Sequence, residues 1–235
     1  MFEFVYRMFS LGDVALPTRG MGAIPEQLAN GLPPGCVRLR QKVTEVGDGG
    51  LTLAGGERLP ARAVVVATDG PSASDVLGGE PPAPGSVAVR CLYFAADRAP
   101  VDEPVIVLDG DGRGPVNHLC VPSAVAPAYA PAGAALISAA VLDRPDLPKG
   151  PDLEAAVLGQ LADWFGSGVV AWRHLKTYHI PHAQPAQPPG ALDPPERPVR
   201  LRPGLYVCGD HRDNASINGA LASGRRAADA VLEDL

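Results

Sequence analysis

No stretch of apolar residues in the 235-residue chain approaches the roughly 20 needed to cross a bilayer. The start, Met1-Phe2-Glu3-Phe4-Val5-Tyr6-Arg7, lacks the basic beginning and long apolar segment of a secretory leader. Cysteine is scarce, and Cys36, Cys91, Cys120 and Cys208 lie far apart without a CxxC. That spacing supports neither a disulfide framework nor a zinc site and fits reduced thiols. Basic clusters are missing too. The 26 acidic residues outnumber the 20 Lys and Arg, for a formal charge of −6, which argues against nucleic-acid binding. A soluble, cytoplasmic protein is the expectation. With 46% hydrophobic and 20% charged residues the chain has an ordinary globular balance, and its length suffices for a sizeable core in one or two domains.

Phe2, Val5, Tyr6 and Phe9 recur at helical spacing over residues 2–11. Gly20-Met21-Gly22 then turns into a short helix. It superficially suggests a dinucleotide fingerprint, but no strand precedes it, Pro25 replaces the third glycine and no βαβ unit follows. From Cys36 the pattern becomes β. Val37-Arg38-Leu39-Arg40 alternates, Val43-Thr44-Glu45-Val46 follows, and turns at 47–50 and 55–56 flank Leu51-Thr52-Leu53. Ala63-Val64-Val65-Val66-Ala67-Thr68 predicts a strand buried on both faces of a parallel sheet. Asp69-Gly70-Pro71 breaks it, and Ser72 or Ser74 is placed to cap a helix through Leu77.

After a stiff crossover at 78–85, strands are predicted at Val87–Ala95, Val105–Leu108, Val116–Val121 and Ala135–Leu142. Asp109-Gly110-Asp111-Gly112 fails the calcium-loop spacing, because the twelfth position is Cys120 rather than Glu, and is better read as a hairpin turn. Leu153, Val157, Leu158, Leu161, Trp164 and Phe165 predict an amphipathic helix over 152–166, with a further strand at Val169–Ile180. His174, His179 and His182 invite a metal test. His174 and His179 should face opposite sides of a strand, Pro181 interrupts the approach to His182, and no carboxylate sits in the segment, so no metal is assigned. Eight prolines in residues 181–203 suit an extended, semi-rigid crossing.

The end of the chain is its most informative part. Leu205-Tyr206-Val207-Cys208-Gly209-Asp210 reads as a buried strand closing on a turn, and Ser216 as the N-cap of a helix that follows. Gly219, Ala220, Ser223, Gly224 and Ala227 leave one helix face nearly bare, so a strand or ligand can come close to the backbone. The free N–H groups and positive dipole end favour an electronegative ligand atom. A packing unit with no ligand is the plainer alternative.

Gly209-Asp210 followed by Ser216-Ile217-Asn218-Gly219-Ala220-Leu221-Ala222-Ser223-Gly224 resembles the closing motif of the FAD-dependent amine oxidase superfamily, which includes amine oxidases, protoporphyrinogen oxidase and phytoene-desaturase-like enzymes. The segment 17–24 is similar to that superfamily's Pro-x-Gly-Gly-Met entry to the substrate region, with Arg19 where the first Gly usually stands, and Ile180-Pro181-His182 stands where many members have Ala-x-Pro. The resemblance spans nearly all 235 residues but only the latter half or so of a typical member, and the amino-terminal βαβ unit with its G-x-G-x-x-G loop has no counterpart in the sequence. It implies a mixed α/β fold. Residues 35–79 and 191–235 would form the second half of an FAD-binding domain, and 1–34 and 80–190 a mixed-sheet substrate domain. It further implies an FAD cofactor met by the backbone of Val43, by Gly209 and Asp210 at its ribityl and diphosphate part, and by Ser216, Ile217, Asn218 and Gly219 at the flavin edge. No catalytic residue emerges from spacing, as suits a cofactor that performs the redox chemistry itself.

Amine oxidases carry an aromatic cage residue where this chain has Ser216. Small amines are therefore disfavoured, and a bulky apolar substrate such as a polyene or a porphyrinogen-like ring fits better. The missing half would come from a truncated remainder or from a separate chain. The alternatives are a remnant or interaction module that binds no flavin, and a redox-neutral isomerase using reduced FAD on a polyene.

Overall fold

Glycine- and proline-bounded strands alternate with helices, and they assemble into two units, residues 1–37 with 89–179 and residues 38–88 with 180–235. The computed structural model describes residues 6–7, 10–12, 15–82 and 85–235. The helix expected over 2–11 lies largely outside the described residues. Among the described residues, no helix is long and apolar enough to cross a membrane.

In the first unit, helix α1 (Ala23–Asn30) follows the Gly20 turn. The Tyr129 hydroxyl donates to the Pro17 carbonyl at 2.7 Å and ties that segment down. The sheet contains β5 (Ser86–Ala96), β6 (Ile106–Leu108), β7 (Val116–Cys120), β8 (Ala135–Leu142) and β9 (Arg173–Pro185), ordered β6-β7-β8-β5-β9. The β5–β8, β7–β8 and β6–β7 pairs are antiparallel. At the β6–β7 hairpin the Asp109 carboxylate accepts the Asp111 and Gly112 N–H groups, the turn expected there. A short helix, α3 (Pro122–Val125), follows β7.

Helix α4 (Pro151–Phe165) has Pro151 in its first turn and ends at Gly166 with φ +82°. Its Leu153, Val157 and Leu161, four residues apart, pack on Leu92, Phe94, Leu119, Ile137 and Val141, all essentially buried. Burying such a side chain fully is worth about 1.5–3 kcal/mol, so this helix face anchors the sheet. Gln160 is the polar member of that face. Its Oε1 accepts the Val116 N–H at 2.7 Å and its Nε2 donates to the Val116 carbonyl at 3.2 Å, where the β7–β8 register shifts.

The second unit has two three-stranded sheets. β1 (Val43–Gly47), β2 (Gly50–Leu53) and β3 (Arg58–Pro60) form an antiparallel meander. β4 (Val64–Val66) runs parallel to β11 (Leu205–Val207), which pairs antiparallel with β10 (Arg200–Arg202). Helix α2 (Gly70–Val76) packs Ala73 and Val76 against Val66, Leu205 and Val207. Helix α5 (Ile217–Asp234) packs Ala227 and Ala230 against Val199 and Cys208. The far end of α5 is pinned where the buried Tyr206 hydroxyl and Arg200 both donate to Asp234.

Several expectations need correction. Val37–Arg40 is exposed and not a strand, and Arg40 takes φ +59°, incompatible with continued β pairing. β3 was not foreseen. The cap of α2 is Asp69 rather than Ser72 or Ser74: its carboxylate accepts the Ser72 N–H at 3.0 Å, and Pro71 stands in the first turn of the helix. Val65 is 40% exposed, because β4 is a sheet edge rather than a strand covered on both faces. The segment 167–171 is a 3₁₀ turn, and β9 continues through Pro181, which an edge strand tolerates.

Candidate functional site

Strand β11 ends in a backbone corner that few residues other than glycine can form. Gly209 has φ +146° and ψ 171°, and a Cβ there would fall 2.6 Å from His211 Nδ1 and 3.3 Å from the Thr68 carbonyl oxygen. Ser223, wholly buried on α5, clamps the corner. Its Oγ accepts the Gly209 N–H at 2.9 Å and lies 2.8 Å from the Gly209 carbonyl and 3.0 Å from that of Ala220, to either of which it can donate. The small-residue face of α5 thus brings a hydroxyl to the strand end as well as allowing close approach.

A single 3₁₀ turn, Asp210–Arg212, follows. His211 and Arg212 are buried, and their Nδ1 and Nε atoms have no hydrogen-bond partner among the described residues. Arg212 does donate through Nη2 to the Pro198 carbonyl. Burial pushes the His211 imidazole below its usual pKa, assisted by Arg212 and Arg197 and opposed by Asp210 and Asp69. Burial likewise lowers Arg212, with Arg197 and Arg226 adding repulsion. The nearest carboxylate oxygen to His211 Nδ1, on Asp210, is 3.9 Å away, beyond hydrogen-bond reach.

Helix α5 begins as the sequence indicates. Ser216 is extended, and its Oγ accepts the Gly219 N–H at 3.0 Å. A Cβ on Gly219 would sit 2.0 Å from the Asn214 carbonyl oxygen, so the loop before the helix requires glycine at that position. The N–H groups of Ile217 and Asn218 have no acceptor among the described residues, while Ser216, Ile217 and Asn218 are exposed. The loop is fastened by Asp213, which accepts from Arg226 and from the Asn214 N–H. Burial alone would raise the Asp213 pKa, but Arg226 and Asn214 hold it below the usual carboxylate value.

Val43 stands in a second place. It lines a groove of about 680 Å³ together with Val46, Leu51, Val64–Thr68, Ser72 and Val76. This groove follows the outer edge of β4. The strand spends its Val64 N–H on the Gly204 carbonyl (2.9 Å) and its Val66 carbonyl on the Cys208 N–H (3.0 Å). The alternate residue, Val65, therefore turns its N–H and C=O to the opposite edge, which no strand pairs with among the described residues. Gly209, Asp210 and Ser216–Gly219 come together at the carboxyl end of β11, the position where parallel sheets bind ligands. Val43 belongs to the groove instead, and Thr68, in contact distance of the Gly209 corner, ends it.

His211, Arg212 and the clamping role of Ser223 were not anticipated. The sequence signal for Ser223 was its place one turn after Gly219 in the small-residue stripe. For His211 and Arg212 there was only their adjacency to Gly209-Asp210. Two histidines of β9 meet separate carboxylates, His174 Nδ1 that of Glu154 at 3.0 Å and His179 Nε2 that of Asp143 at 3.3 Å. No metal-ligand cluster exists among the described residues.

The sequence matches the family described as "Flavin containing amine oxidoreductase" over residues 1–232. No curated protein matches it. Among solved structures, a putative protoporphyrinogen oxidase from Exiguobacterium sp. superposes with TM-score 0.71 at 18% identity, over 91% of this chain and 51% of its own. A reduced UDP-galactopyranose mutase gives 0.72 at 14% identity, over 93% and 53%. Cyclohexylamine oxidase from Brevibacterium oxydans gives 0.65 at 17% identity, over 91% and 52%. The chain thus spans about half the length of the solved structures it resembles, and at these identities the likeness is one of fold.

Proposed function

The chain belongs to the flavin containing amine oxidoreductase family, and on that premise we propose that it forms the carboxyl-terminal half of an FAD-dependent oxidoreductase. The observation that carries this reading is the collection of polar atoms left unpaired among the described residues at one strand end: the Ile217 and Asn218 amides and Arg212 Nε, which are donors, and His211 Nδ1, all near the Gly209-Asp210 corner. Buried polar groups left unpaired are costly, so donors grouped at a strand's carboxyl end fit a ligand rich in oxygen acceptors. The donor set suits FAD, whose flavin edge, hydroxyls and diphosphate are acceptors. The carboxylate of Asp210 is suited to a hydroxyl that donates to it. Bound flavin would supply two-electron redox chemistry. The chain's own part is to hold amide dipoles at a helix start, where they stabilise negative charge without reorganising.

The unpaired edge of β4 and its groove support a companion half. A glycine-rich βαβ unit, on an adjoining segment or a separate chain, would add a parallel strand at Val65 and place the cofactor along Val43. Unit 1 then holds the substrate, a bulky apolar small molecule, and Ser216 in place of an aromatic cage disfavours small amines. Protein-bound flavin absorbance of the chain joined to such a unit tests this reading. A flavin spectrum that weakens on Asp210→Ala supports it, and colourless protein in excess FAD refutes it. A second reading, a module of the same fold that binds no flavin, draws on the solvent exposure of Ser216–Asn218, and colourless protein would favour it.

A further inference from the structure

Of the two β9 histidines that meet carboxylates, His174 also meets a hydroxyl. Its Nδ1 lies 3.0 Å from a Glu154 carboxylate oxygen, and its Nε2 lies 2.9 Å from Thr177 Oγ1. A carboxylate can only accept, so Nδ1 carries the proton, and Nε2 of the neutral ring is left to accept the Thr177 O–H. Carboxylate, imidazole and hydroxyl, each within hydrogen-bond reach of the next, form the arrangement that activates an alcohol as a nucleophile. His179 lacks the third member: it meets Asp143, and no hydroxyl is bonded to it among the described residues.

The three residues come from two elements held by one core. Glu154 stands in the first turn of α4, where the helix dipole favours a carboxylate. The His174 ring packs 5.5 Å from that of Phe94, in the core beneath α4. Thr177 is exposed and open to a reactant from solvent. β9 is the outermost strand of its sheet, so alternate amides along it pair with no strand among the described residues. Such free N–H groups can donate to a developing oxyanion.

A recess lies beside the triad. It has a volume of about 350 Å³ and is lined by the apolar side chains of Ala96, Pro100, Phe165, Val169 and Trp172, among others. The Trp172 ring also meets that of Phe94, at 6.2 Å, so the wall of the recess and His174 share one neighbour. A recess of this size suits a small apolar group.

We propose that Glu154, His174 and Thr177 form an esterase site for esters with a short apolar acyl group, which the recess takes up. Thr177 Oγ1 attacks the ester carbonyl carbon while its proton passes to His174 Nε2. The C–O bond to the alcohol then breaks, and His174 gives the proton to the departing oxygen, leaving the acyl group on Thr177. Water attacks that acyl group through the same relay, which frees the acid and restores the Thr177 hydroxyl. Thr177 and His174 are the catalytic residues, and Glu154 is a positioning residue that fixes the tautomer of the ring. No electron transfer enters these steps, so the inference stands apart from the flavin reading.

The test follows hydrolysis of p-nitrophenyl butyrate by the purified chain without FAD. The expected result is saturable release of p-nitrophenolate, with a butyryl group located on Thr177 by tandem mass spectrometry after an acid quench. Thr177→Val, close in shape, and His174→Gln should each lower kcat about a hundredfold, the loss of a nucleophile or its base. Thr177→Ser should keep turnover, Glu154→Gln should lower kcat at unchanged KM, and His179→Gln should match the original chain. Equal urea midpoints for Thr177→Val and the original chain exclude loss of fold as the cause, and the mapped acyl position decides where a variant fails to fold. Unaltered turnover in Thr177→Val, no turnover above the buffer rate, or acylation only at other side chains would overturn the proposal and leave these contacts as a latch of β9 on α4.

Discussion

Replacing Ser223 by alanine tests the corner at the strand end with little steric disturbance. The Ser223 hydroxyl is the acceptor for the Gly209 N–H at 2.9 Å and a donor within 2.8 Å of the Gly209 carbonyl, in a wholly buried setting. Alanine leaves that N–H without a partner, which costs about 1–3 kcal/mol. The better helix propensity of alanine returns about 0.5 kcal/mol. A net loss of about 1.5 kcal/mol corresponds to roughly tenfold in an opening equilibrium. Hydrogen exchange of peptides spanning 205–210, read by mass spectrometry, should therefore accelerate about tenfold. Exchange in the β1–β3 meander should change far less. An unchanged rate at Gly209, or an equal acceleration throughout the unit, would refute the clamp.

Further predictions follow from the same contacts. Gln160→Ala removes both hydrogen bonds to Val116 and should cost about 2–4 kcal/mol; Trp164 and Trp172, both in unit 1, make tryptophan fluorescence in urea the readout, and an unmoved midpoint would count against the clamp. Gly219→Ala forces a Cβ to 2.0 Å from the Asn214 carbonyl oxygen, so the helix start should fray, seen as faster exchange over 214–220; unaltered exchange would contradict the fit. Asp69 and Asp213 have folded pKa values below 3.8, so their contribution is present above 3.8 and is lost as pH falls through the lowered values; Asp213→Asn should flatten that part of the acid-unfolding curve. His211 is held below 6.5, so stability should also fall as pH drops from 6.5 through its folded value, and His211→Asn should remove that limb.

The sequence makes the regular elements legible where side chains repeat on a short period. Leu153, Val157 and Leu161 mark α4, and alternation marks β5 and β8. The same rule misleads at Val37–Arg40, where local alternation has no partner strand. Asp69-Gly70-Pro71 ends the strand as its residue types indicate, but Ser72 and Ser74 look as fit to cap the helix as Asp69, which does so. The burial of Val64–Val66 was overread, because a continuous apolar run cannot reveal which strand will form an edge.

At the candidate site, the glycine turn and the Ser216 cap are backbone features with strong residue preferences, and both appear in the sequence. The burial of His211 and Arg212 depends on how residues 197–199 fold over the corner, as the Arg197 N–H to Arg212 carbonyl bond shows. No local pattern encodes that contact. Ser223 is similar, since a small residue in a helix stripe does not announce whether its hydroxyl will be used.

The central claim is that the Gly209-Asp210 corner and the start of α5 receive the cofactor. Its most direct test is amide exchange of the chain with and without excess FAD, which registers even weak binding. The account predicts slowed exchange confined to residues 207–219, including the Ile217 and Asn218 amides, and reduced protection in Asp210→Ala. Identical exchange over 207–219 in the presence of FAD, or protection elsewhere only, would contradict it.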